Sequence, residues 1–140
     1  MLLDSIQASR IFVAAALLLT LSLSGCQIIG AVEVATTQAR FFLKPNGTRV
    51  TTPAEAMLSA SQNQALHEWL GAHRSGWSSR YDTSTLPDWC LHINLEKHNT
   101  TSLCRYTGRV VLRGLGPEIQ RSLTDDDKAF FAQQIERLNT

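Results

Sequence analysis

The chain opens on an apolar run and then changes period twice. Residues 11–23 read IFVAAALLLTLSL, thirteen positions without a charge. A bilayer-spanning helix needs about 20 apolar residues, so this run is short for a span and suits the apolar region of a secretory signal peptide. Farther on, Met57, Leu58, Ala65, Leu66, Trp69, Leu70 and His73 recur near helical spacing. Thr52, Pro53 and Glu55 stand where a cap, a first-turn proline and a capping-box acid belong. A helix is therefore predicted over residues 52–74, stopping at Gly76.

From there the period shortens to two. Residues 77–83 predict a short strand. Leu91, Ile93 and Leu95 alternate with His92 and Asn94, KHNTT turns, and residues 102–113 are strand-like around Val110, Val111 and Leu112. Gly114 and Gly116-Pro117 end this meander, and residues 118–123 are expected to make one helical turn. A last helix opens at Thr124, whose hydroxyl is placed to cap Asp127. Asp125, Asp126 and Asp127 fill the positive end of its dipole, and Phe130, Phe131, Ile135 and Leu138 form its apolar stripe.

This order predicts one small α+β domain over residues 52–140: helix, two- or three-stranded antiparallel meander, helix, with both helices packed on one sheet face. Residues 26–51 carry no clear period apart from the turn at Pro45-Asn46-Gly47, and read as a tether packing partly on the domain.

Thirteen basic and twelve acidic residues leave a net charge of +1, which gives no global attraction to nucleic acid or anionic membrane. Any electrostatic function is local. Arg105, Arg109 and Arg113 alternate with Thr107 and Val111, and a period of two would array all three along one side of a strand. They are the candidate contact for an anionic partner, against the plainer reading of a solvent-facing sheet surface.

Catalytic and metal patterns are poorly served. His67 and His73 are six apart, where a zincin helix needs four, and no nucleophile elbow occurs. Asp125-Asp126-Asp127 lacks the spaced oxygens and glycine of a calcium loop. Trp77, Tyr81 and Trp89 read as core or rim packing. No cofactor or metal is called for, and a non-enzymatic protein is expected.

The end of the apolar run carries the one family signal. Leu23-Ser24-Gly25-Cys26 resembles the lipobox of bacterial lipoproteins: an apolar residue, two small residues that enter a peptidase cleft, and a cysteine whose thiol accepts diacylglycerol. The resemblance implies that residues 1–25 are a signal peptide and that Cys26 becomes the lipidated first residue. At about 0.8 kcal/mol per buried methylene, its acyl chains would anchor the protein firmly in a membrane. It also implies, since Gln27 is not the aspartate associated with inner-membrane retention, the periplasmic face of the outer membrane. The resemblance covers the first quarter of the chain only.

An oxidising periplasm would then make Cys90 and Cys104 a disulfide, with zinc shared with His92 or His98 as the lesser reading. One difficulty stands. Cys90 shares the polar face of His92 and Asn94, whereas Cys104 falls with Tyr106, Val110 and Leu112, so either Cys90 precedes its strand or a bulge near Gly108 flips the parity. The expected function is a membrane-anchored accessory module binding another envelope protein. The alternative is an inhibitor or immunity protein presenting residues 82–88, DTSTLPD, to a periplasmic toxin or lysozyme.

Overall fold

The computed structural model describes residues 29–30, 32–79, 86–96 and 99–140. Seven strands form one antiparallel sheet: β1 (Val34–Leu43), β2 (Arg49–Met57), β3 (Ser78–Ser79), β4 (Trp89–Leu95), β5 (Thr100–Tyr106), β6 (Arg109–Arg113) and β7 (Ile119–Ser122). Their order across the sheet is β2-β1-β4-β5-β6-β7-β3. Helix α1 (Ala60–Ala72) follows β2, α2 (Asp125–Gln134) follows β7, and a 3-10 turn (Glu136–Leu138) closes the chain. The helix–meander–helix architecture is therefore overturned: the described residues form a predominantly antiparallel sheet of seven strands with two short helices.

Three local readings explain the difference. The predicted start of the first helix, residues 52–57, is instead the end of β2, with Glu55 opposite Arg40 and Met57 opposite Gln38. Pro53 is tolerated there because β2 is an edge strand. The helix starts at a competing signal, Ser59, whose Oγ accepts from Gln62 N at 3.2 Å while Gln62 Oε1 accepts from Ser59 N at 2.8 Å. Residues 34–51 supply β1 and the start of β2, and the boundary placed at residue 52 falls inside β2. Residues 119–122, expected as a helical turn, form β7.

The final helix begins as its sequence indicates. Thr124 Oγ1 accepts from Asp127 N at 3.1 Å, and Asp127 Oδ2 accepts from Thr124 N at 3.0 Å. The Pro45-Asn46-Gly47 turn is also present, with Gly47 at φ 85° and Asn46 Oδ1 accepting from Thr48 N.

The sheet has two unlike faces. Ala39, Phe41, Trp89, Leu91, Ile93, Leu103, Val110, Leu112 and Ile119 point to one side and form the main core with Leu66, Trp69 and Leu70 of α1 and Phe131 and Ile135 beyond. Gln62 adds a polar tie between the helices, donating from Nε2 to Gln134 O at 3.1 Å. The other face carries a smaller buried cluster of Cys90, Cys104, Tyr106 and Val111, with Phe42 packed against it. The upstream segment docks too. Ile29 is buried in the main core, its N–H donates to Arg74 O at 2.8 Å, and Arg74 Nε donates back to Ile29 O at 3.1 Å. Among the described residues no helix is long and apolar enough to cross a membrane.

Candidate functional site

The face of the sheet that no helix of the described residues covers carries the disulfide and an arginine-edged groove. Cys90 and Cys104 stand directly opposite each other on β4 and β5, their Cα atoms 4.0 Å apart, and are joined as a disulfide. Neither an early Cys90 nor a bulge is needed. Cys104 does share its face with Tyr106, but Val110 and Leu112 lie on the other side. The two-residue turn Thr107-Gly108 pairs Tyr106 with Arg109, so even positions of β5 align with odd positions of β6. Parity flips across a tight hairpin, and the mismatch read from the linear pattern disappears.

The same flip divides the arginines. Arg109 and Arg113 lie on the disulfide face of β6, whereas Arg105 pairs across from Trp89 and Val110 on the helix side. Arg105 makes an ion pair with Glu136, whose Oε1 also accepts from Trp89 Nε1 at 3.3 Å. It ties the sheet to the C-terminal turn. Arg113 binds Glu118 at 2.9 Å and reaches the Tyr106 hydroxyl at 3.2 Å, and Arg109 lies 5.4 Å from the Tyr106 ring centre. The three guanidinium groups do not form one stripe.

A groove of 580 Å³ opens on the disulfide face. Phe42, Cys90 and Cys104 lie under it, Val50 of β2 and the segment Leu86-Pro87 border it, and His92 and Ser102 line its inner part. Leu86 is 69% exposed at its margin. Three arginines surround it, each with a carboxylate partner: Arg40 with Glu55 at 3.2 Å, Arg49 with Asp88 at 3.1 Å, and Arg113 with Glu118. The rim is a ring of ion pairs around an apolar interior, not a single-sign patch. Such exposed pairs contribute only ~0–1 kcal/mol each, so they can exchange partners at little cost. His92 is the titratable group inside. Burial, then the nearby Arg40 charge, lower its pKa against the opposing pull of Glu55.

Periodicity also hid a buried polar network on the helix side. Asp127 accepts from Trp69 Nε1 at 3.2 Å, and His73 Nε2 lies 3.2 Å from the same oxygen. His73 Nδ1 is 2.7 Å from Trp69 O. Both imidazole nitrogens are thus engaged, and neither is presented to a reacting group. The disulfide likewise leaves neither Cys90 nor Cys104 as a thiolate. Among the described residues no group of three His, Cys, Asp or Glu is arranged to hold a metal ion. The signal for this network was present in Trp69 and His73, four apart on α1, but its partner Asp127 is far along the chain.

Of the remaining candidates, Trp77 and Trp89 are core residues, 0% and 2% exposed. Cys26, Tyr81, His98 and residues 82–85 of the proposed inhibitory loop lie outside the described residues. No family model matches the chain, and no curated protein and no solved structure shows significant similarity to it.

Proposed function

We propose that this protein is a lipid-anchored envelope lipoprotein, attached through Cys26 and facing the periplasm from the outer membrane. Its sheet domain acts as a binding module for another envelope protein rather than as a catalyst. The observation that carries the binding role is the asymmetry of the sheet: helices cover one face, and the other presents an apolar groove ringed by ion pairs. An apolar centre within a polar rim is the composition of a protein–protein interface. The disulfide bridging the two strands beneath the groove supports an oxidising compartment. The lipobox resemblance supports the anchor.

Two measurements test the parts separately. Labelled palmitate is expected in the wild-type chain and absent from Cys26→Ala. A photoreactive side chain at Leu86, exposed beside the groove, is expected to give discrete cross-linked products in envelopes, while one at Gln64, exposed on α1, gives none. Equal yields from both positions would remove the groove from the proposal.

A further inference from the structure

A second depression lies at the β7–β3 edge of the sheet, where Gln120 and Ser122 share the disulfide side with Arg109 while Arg121, opposite Val110, belongs to the helix side. Among the described residues it shares no lining residue with the groove. Arg109, Gln120, Arg121 and the hydroxyls of Ser78, Thr107 and Ser122 line a recess of 430 Å³ where β6, β7 and β3 meet. Among the described residues none that lines it is acidic. Here the contrast with the groove is chemical: hydroxyls and guanidinium groups replace the apolar interior, and no carboxylate of the described residues belongs to the wall.

Arg121 is the key group. Its Nη1 donates to Ser75 O, its Nε is buried without a hydrogen-bond partner, and no carboxylate pairs with it among the described residues. A half-buried cation lacking a counter-charge is costly unless an anion supplies one. The backbone is shaped around it: Gly76 sits at φ 83°, and a Cβ there would come 2.5 Å from Arg121 Nη1. Gly76 leaves the room in which the guanidinium lies, so the cation is pre-placed.

The recess also lies near the proposed lipid attachment. Ile29 is pinned by its two hydrogen bonds to Arg74, and Gly76, two residues on, lines the recess. Cys26 precedes Ile29 by three residues, which span at most about 10 Å whatever their path. A lipid on Cys26 would therefore hold this corner of the domain at the membrane surface, among phosphate groups. We infer that the recess binds the phosphate group of a membrane lipid headgroup, with Arg121 and Arg109 as its cationic contacts. A guanidinium matches two phosphate oxygens at once. The phosphate chemistry follows from the recess itself, and the lipid source rests on the proposed anchoring at Cys26.

The test follows arginine Nε–Hε NMR signals of the full chain in dodecyl maltoside micelles, which contain no phosphate, with Arg121→Gln assigning the Arg121 signal. Phosphatidic acid added to the micelles is expected to shift the Arg121 and Arg109 signals to saturation, at a concentration at least tenfold below that of inorganic phosphate. The exposed Arg137 signal stays in place. Binding read through Arg109 is expected to weaken at least tenfold in Arg121→Gln and to be partly retained in Arg121→Lys. A response to inorganic phosphate alone overturns the lipid assignment, and no selective response to either overturns the site. Palmitate incorporation without an Arg121 response leaves the anchor standing and removes this inference. An Arg121 response to inorganic phosphate without palmitate incorporation leaves the phosphate chemistry of the recess standing and removes both the anchor and the lipid assignment.

Discussion

The carboxylate of Asp127, in the first turn of α2, accepts the indole N–H of Trp69 from the last turn of α1 at 3.2 Å. The residue that completes the Thr124 capping box therefore also holds the two helices together, and His73, stacked on Trp69 with ring centres 4.4 Å apart, reaches the same oxygen. Asp127 is 4% exposed, so its hydrogen bonds are made where water cannot replace them. Asp127→Ala, which loses the cap and strands the buried indole N–H of Trp69, is expected to cost ~3 kcal/mol in urea unfolding at neutral pH.

Acid should probe the same residue. Burial opposes ionisation of Asp127, but the Thr124 N–H, the Trp69 N–H, the Thr124 hydroxyl and the His73 charge together hold its pKa below the ordinary 3.8. A depressed folded-state value means the unfolded chain binds the proton more readily. The stabilisation is complete above about pH 4 and is lost as pH falls through the lower folded value. Asp127→Asn is expected to flatten this acid limb in urea midpoints measured from pH 5 to pH 2.

His92 gives a second, separate pH response. Its pKa is lowered from 6.5, mainly by burial and next by Arg40. The folded protein thus disfavours the imidazolium that the unfolded chain accepts. Stability is full above 6.5 and declines as pH falls toward the folded value. His92→Gln is expected to remove that decline between pH 7 and pH 5 while leaving the Asp127 limb unchanged.

The Cys90–Cys104 bridge closes a sequence separation of 14. Loop-closure entropy assigns such a cross-link ~3 kcal/mol. The Cys90→Ala/Cys104→Ala double variant is expected to lower the unfolding free energy by about that amount. Dithiothreitol should lower the wild type similarly and leave the variant where it is.

Two glycines separate backbone strain from crowding. Gly47 (φ 85°) has open space around a built Cβ, whereas Gly114 (φ 98°) would place one 2.9 Å from Thr100 O and 3.2 Å from Thr101 Cα. Gly47→Ala meets only the left-handed penalty, ~1–2 kcal/mol. Gly114→Ala must also displace the neighbouring strand, so its loss of thermal stability is expected to be clearly larger.

What the residues announced by themselves were features written within a few positions of one another. The Thr124 cap, the Pro45-Asn46-Gly47 turn, the end of α1 before Gly76 and the alternation of Leu91, Ile93 and Leu95 each depend on local geometry, and each appears in the structure. The apolar run and Leu23-Ser24-Gly25-Cys26 are of the same local kind, and carry the proposed address. Tertiary structure decided what depends on distant partners. Residues 34–43 and 49–57 have weak intrinsic preference, and become strands because β4 offers β1 an unpaired edge that β1 then passes to β2. A two-residue turn reversed the parity of β6 against β5, sending Arg105 to the helix side and leaving Arg109 and Arg113 beside the disulfide. Side-chain direction in a sheet follows pairing register, and register belongs to two strands at once, so no single run of residues contains it.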